Sequence, residues 1–213
     1  SGAYDTHHTL FSHCYIHGVT TMFQDGTGND SMTVEYCELC DSRDVGADHG
    51  NIYWCGSDNL VFRFNKVHNY NVEGIFSGDG FNTTGWRIYG NTFYDAAGDG
   101  CKAVQIYEGN TATDCLIYNN SFIDIPAPIV LQSGTTISGW QVYNNIFVSH
   151  TYGGDTGVTM ASNITAEVSV FVDSGNKDFH LLAATTPGVT LDAPYNTDMD
   201  AVTRGTDGNW DVG

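Results

Sequence analysis

Apolar and polar positions alternate along this chain in short runs, and one run keeps returning. In Ile117-Tyr118-Asn119-Asn120-Ser121-Phe122 a central Asn120 is flanked by Ile117 and Phe122. The same frame recurs as Ile88 to Phe93 around Asn91, Val142 to Phe147 around Asn145, and Phe62 to Val67 around Asn65. Phe11 to Ile16 and Val34 to Leu39 keep the frame with Cys14 and Cys37 in the central slot. The slot runs 14, 37, 65, 91, 120, 145, in steps of 23, 28, 26, 29 and 25. Self-similarity at such a period marks a solenoid.

Within each repeat the alternation has a period of two, which predicts strands, and Gly, Asn and Asp clusters between runs predict turns. Pro126 and Pro128 argue against a helix in the fifth repeat, and the sixth is expected to close with the strand Val158-Thr159-Met160. Strands carrying the same pattern one repeat apart must stack in parallel register, because a slip of one residue would turn every apolar side chain outward. The expected fold is all-β, a right-handed parallel β-helix (a single-stranded solenoid) of about six to seven coils with an irregular C-terminal tail. At about 4.8 Å per coil six coils span roughly 30 Å. Residues 1–165 are assigned to coils, and 166–213 to a final strand and a tail that packs on or caps them.

The slot residues Asn65, Asn91, Asn120 and Asn145 read as a structural ladder. Asn tolerates the left-handed backbone of a sharp bend, and stacked amides can hydrogen-bond from coil to coil. Cys14 and Cys37 extend the column as small buried side chains, or lie near enough to form a disulfide.

Charge narrows the partners. Seven Lys plus Arg face 25 Asp plus Glu, a net charge of −18, which excludes nucleic-acid binding through phosphates. No run approaches the roughly 18 consecutive apolar residues of a spanning helix, so no membrane insertion is expected. Six cysteines suit an oxidising compartment. Sequons occur at Asn29, Asn82 and Asn163.

Counting from the slot exposes candidate chemistry. Two residues before it come Arg63, Tyr89, Tyr118 and Tyr143 on successive coils. Such a tyrosine strip could stack on sugar rings, on the returning tail or on another subunit. Arg63, Lys66 and Arg87 are expected outward as a small basic spot. Three residues after the slot come His17, Cys40 and His68, a column that could take Zn²⁺ or Cu²⁺. The loop Asp41 to Gly50 holds Asp44, Asp48 and His49, which could bind Ca²⁺ or act as acid and base, and Asp198, Asp200 and Asp207 raise the same calcium question. A lyase would need a base and a cationic group beside a uronate, and a glycosidase two carboxyl groups about 5–10 Å apart. No catalytic signature of either kind is legible.

The coils, with Asp178-Phe179-His180-Leu181 and the ending Asp198-Met199-Asp200, Arg204, Asp207-Gly208 and Trp210-Asp211-Val212-Gly213, resemble secreted right-handed β-helix repeat proteins. In that broad family a "DFHL" strand is followed by a "SPAIDAG"-like segment and a "DIDG…R…DIGAYE"-like close. Here the middle segment reads Pro187-Gly188-Val189-Thr190-Leu191-Asp192-Ala193 and the close stops after Val212-Gly213. The resemblance implies an extracellular or cell-surface location and work on carbohydrate, since members include polysaccharide lyases, hydrolases, epimerases, tailspikes and surface proteins. Two functions are expected on these grounds. One is binding, with cleavage as an extension, of a polysaccharide along a strand face. The other is a structural protein that self-associates through its coil ends into a filament or surface layer, an expectation drawn from the abrupt entry into the first coil.

Overall fold

The computed structural model describes residues 8–24, 31–43, 50–96, 98, 100–206 and 210–213, with Cys55 as backbone only. The chain forms a parallel β-solenoid with three main faces. Seven strands stack on the first face: Thr9–Ser12, Met32–Glu35, Val61–Arg63, Arg87–Tyr89, Leu116–Tyr118, Trp140–Tyr143 and Val158–Ala161. Seven more form the second: Tyr15–His17, Glu38–Cys40, Lys66–His68, Thr92–Tyr94, Ser121–Ile123, Ile146–Val148 and Ile164–Ala166. The third has five: Phe23–Gln24, Tyr53–Cys55, Glu73–Ser77, Lys102–Ile106 and Ala127–Leu131. Thr83–Thr84, Thr111–Thr113 and Thr136–Ser138 add a short ledge before the first face.

Five coils thus have all three faces, and two further coils keep only the first and second. The expected six to seven coils are five full turns and two partial ones. Val158–Ala161 does not close the sixth coil, as expected from sequence, but opens the seventh on the first face, paired with Trp140–Tyr143. No helix among the described residues is long and apolar enough to cross a membrane.

Register holds throughout the stack. Ile88 lies opposite Ile117, Ile117 opposite Val142, and Val142 opposite Met160. On the second face Phe93, Phe122 and Phe147 stack inward at ring distances of 5.3 and 5.2 Å. One residue before the paired positions, Trp86, Cys115 and Trp140 fall on successive coils of the first face, all fully buried. The small thiol between two indoles lets neighbouring coils keep their spacing while both rings fill the core.

The ladder forms as expected and is longer than the sequence reading made it. The Oδ1 of each slot asparagine accepts from the backbone N–H and the Nδ2 of the previous coil's asparagine: Asn91 from Asn65, Asn120 from Asn91, and Asn145 from Asn120. Each Nδ2 also donates to a carbonyl one coil back, as Asn120 does to Ile88 O at 3.0 Å. Asn163 continues the column, accepting from Asn145 N at 3.0 Å and Nδ2 at 2.9 Å. Its step is only 18 because the sixth coil lacks the third face. Cys37 performs the same work with sulfur. Its Sγ accepts from Cys14 N at 3.4 Å and donates to Glu35 O and Phe11 O.

No disulfide links Cys14 to Cys37, and Cys14, Cys37, Cys40, Cys101 and Cys115 are free thiols. Each ladder sulfur donates to carbonyl oxygens, Cys14 to Ser12 O and Cys37 to Glu35 O and Phe11 O. The cysteine count therefore carries no argument for an oxidising compartment.

The bend itself lies one residue earlier than expected. Positive φ falls on His13, Tyr36, Phe64, Gly90, Asn119, Asn144 and Ser162, immediately before the slot, while the slot residue is not left-handed. Gly90 is required there, since a Cβ would come within 2.6 Å of the Phe64 ring on the preceding coil. A second left-handed corner follows the second face at Gly18, Asp41, Asn69, Asp95, Asp124 and Ser149.

After Ala166 the chain turns back over the outside of the solenoid. Phe171–Asp173 and Asp178–Leu181 pair antiparallel. With Val212 this hairpin covers the outward side of Tyr94, Ile123, Ile146 and Val148 on the second face. The stretch carrying Leu191, Tyr195 and Met199 covers the first face.

Candidate functional site

The outward tyrosines are in the column the spacing predicts, but they do not face solvent. Tyr89 and Tyr118 are 2% and 4% exposed, and Tyr143 is half-buried. Tyr195 of the tail sets its ring edge-on to both Tyr89 (4.9 Å) and Tyr118 (5.2 Å). Burial pushes the Tyr118 hydroxyl above its usual range, and the hydroxyl donates to Gln141. As a carbohydrate platform Tyr89 and Tyr118 are therefore corrected: of the three partners the strip admitted, the returning tail is the one in place.

The tail is held by asparagines that sequence reasoning passed over. Asn144 and Val189 exchange two bonds, Asn144 Nδ2 to Val189 O and Val189 N to Asn144 Oδ1, both 2.8 Å. Asn119 Nδ2 donates to Tyr195 O at 2.9 Å. In the pairs Asn119-Asn120 and Asn144-Asn145 the left-handed first residue points out and clamps the tail, while the second points in and joins the ladder.

Arg63, expected to meet sugar, is already engaged. Its guanidinium donates from Nε to Glu35 Oε2 at 2.8 Å and from Nη1 to Tyr89 Oη at 2.8 Å, on the coils before and after. Arg87 pairs with Asp114 at 2.7 Å and Lys102 with Glu73 at 3.2 Å. The expected basic spot is thus a set of coil-to-coil ion pairs, and of its three members only Lys66 lines a groove.

That groove lies where the two covering segments part above the first corner. Its floor is Thr92, Asn119 and Ser121; one wall is Lys177, Phe179 and His180, and the other runs from Asp198 to Thr206. It encloses about 520 Å³, within the range of small-ligand sites. His180 bridges it. The imidazole Nδ1 meets Asp178 of its own strand and Nε2 meets Asp200 of the opposite wall at 2.8 Å. These two carboxylates, Asp178 first, raise the His180 value, and the same bond lowers that of Asp178. Burial draws the Arg204 guanidinium below its usual value, with Asp198 and Asp211 opposing. Arg204 Nη1 reaches Asp211 O at 3.3 Å, while its buried Nε has no hydrogen-bond partner among the described residues.

The carboxylates of the groove are committed. Asp198 Oδ1 accepts from the N–H groups of Asp200 and Val202, Asp200 meets His180, and Asp211 accepts from Thr185 N. Asp198 and Asp200 thus act as turn and clamp residues. Asp44, Asp48, His49 and Asp207, the other candidates for calcium, lie outside the described residues. So does the sequon at Asn29. At Asn163 the side chain donates to Val142 O at 2.6 Å inside the ladder, so it is no free glycan acceptor.

The His17, Cys40 and His68 column is real, with Cys40 in register between the two histidines. Cys40 Sγ donates to Asp41 Oδ2 at 3.5 Å and to Tyr15 Oη at 3.8 Å. Burial pushes this thiol up to about 11. His68 Nε2 meets Glu38 Oε1 at 3.1 Å, and Glu38 was not among the residues the spacing singled out.

No family model, curated protein or solved structure matches the chain, and of the expected likeness to β-helix proteins the parallel β-solenoid fold is what stands.

Proposed function

We propose that the protein binds a saccharide in the groove between its tail and the corner of coils three to five. The observation that carries this reading is the lining. Hydroxyl groups of Thr92, Ser121, Thr203 and Thr206 share the groove with the ring of Phe179. A sugar offers hydroxyls for the polar groups and an apolar face for the ring. Asp198, Asp200 and Asp211 each already hold part of the tail in place, which supports binding in preference to cleavage. The net charge of −18 favours a neutral glycan.

Screening the chain on a glycan array and titrating the best hit by calorimetry tests this reading. Thr92→Trp, which fills the floor of the groove from a half-buried position, is expected to lower affinity at least about tenfold, a loss of about 1.4 kcal/mol. Absence of any bound glycan, or full binding by Thr92→Trp, would overturn it.

A further inference from the structure

On the second face, remote from the tyrosine column and independent of the groove reading, three donors of different chemistry converge. We propose that Glu38, Cys40 and His68 form a binding site for Zn²⁺.

Their ligand atoms, one carboxylate oxygen, one sulfur and one imidazole nitrogen, all lie within 4.8 Å of one another. Tetrahedral zinc with bonds of 2.0–2.3 Å needs ligand separations of about 3.3–3.8 Å, so closure requires a contraction of about 1 Å. The His68–Glu38 contact, at 3.1 Å, is already slightly inside that separation. Parallel register supplies the arrangement: Cys40 and His68 are direct partners on neighbouring strands, and Glu38 is the next outward residue on the cysteine's own strand.

The imidazole is pre-oriented. Its ring stacks on Tyr94 at 4.6 Å and 16°, and Tyr94 is pinned from outside by Phe179 at 4.9 Å and by the Lys177 ammonium over its ring. A ring held flat in this way keeps Nε2 aimed along the face toward Glu38. Thus the tail, although it does not touch the three donors, fixes one of them.

The donor set selects the ion. A thiolate and an imidazole are too soft, and a single carboxylate too few, for Ca²⁺ or Mg²⁺, which take six or more oxygens. Sulfur, nitrogen and oxygen in one tetrahedron suit Zn²⁺. Three protein ligands leave a fourth position for water or for His17, the exposed imidazole on the other side of Cys40. Asp41 and Tyr15 lie against the sulfur, and Lys66, a cation, is the register partner of Glu38.

The test uses the full chain, reduced and stripped of metal, with Co²⁺ as a spectroscopic stand-in for Zn²⁺. One equivalent of Co²⁺ is expected to give a thiolate-to-cobalt charge-transfer band with tetrahedral ligand-field bands, all abolished by one equivalent of Zn²⁺. The charge-transfer band should vanish in Cys40→Ser. Glu38→Gln, a change at a half-exposed carboxylate that the coil tolerates, and His68→Gln should each weaken Zn²⁺ at least about tenfold. Circular dichroism of the metal-free variants checks that they remain folded. If reduced wild-type protein shows no thiolate-to-cobalt band, the site does not exist. A band unchanged in Cys40→Ser, or Zn²⁺ affinity unchanged in both Glu38→Gln and His68→Gln, assigns the metal elsewhere and equally overturns the proposal.

Discussion

Asn119 and Asn120 are neighbours with opposite tasks, set apart by the left-handed backbone of the first. Because Asn119 takes φ 54°, its side chain leaves the solenoid and binds the tail backbone, while Asn120 turns into the core. Asn120→Leu keeps the volume but strips the Asn91 N–H and Nδ2 of an acceptor and Ile88 O of a donor. At 1–3 kcal/mol for each unsatisfied buried group the expected loss is roughly 3 kcal/mol or more. A urea transition would read this as a lower midpoint at constant slope. The ladder was legible in the chain because its spacing and residue type repeat together. Asn163 was missed because its step of 18 breaks the spacing and because Thr165 stands where the frame has its second apolar residue, so that only Met160 preserves it. Glu38 escaped notice for another reason: counting along one outward column finds Cys40 and His68 and skips the adjacent column, where the third donor sits.

At the scale of elements, the joint between the hairpin and the Asp198–Thr206 wall depends on one imidazole. The His180 value is raised above its ordinary value of about 6.5, so its contribution is complete below that pH and is lost as pH rises through the raised value. The Asp178 value is lowered, so its contribution is present above about 3.9 and is lost as pH falls through the lowered value. The bridge is therefore strongest between about pH 4 and 6.5. Protection of residues 198–206 against hydrogen exchange, taken relative to the intrinsic rate at each pH, should be greater at pH 5.5 than at pH 8, and His180→Gln should remove that difference without altering protection in the ladder. The position of the tyrosine column was readable from the repeat, whereas its cover was not. Leu191, Tyr195 and Met199 belong to a segment without a period, and nothing in a local pattern says which of three outer faces such a segment will choose.

For the whole molecule, repulsion among 25 acidic side chains opposes compaction, and only seven Lys and Arg offset them. Four of these, Arg63, Arg87, Lys102 and Lys177, pair with carboxylates of other strands or turns. Raising NaCl from about 0.01 to 0.15 M shortens the screening length from about 30 to 8 Å. The melting temperature should rise with it, by about 2–4 °C for each kcal/mol recovered in a chain of this size, as measured by calorimetry. A fall would show that the inter-coil ion pairs outweigh the general repulsion. Ladder bonds join residues 18 to 32 positions apart, but the tail clamps span 45 and 76. Closing a 76-residue loop instead of a 25-residue one costs only about 1 kcal/mol, so the difference is one of timing more than of stability. During synthesis each coil can settle on its predecessor soon after it emerges, whereas the tyrosine column waits for the segment around Tyr195 to be made. A chain interrupted before Tyr195 is thereby marked: it presents a row of aromatic rings that the covering segment would hide, a surface on which a chaperone or protease can tell one from the other.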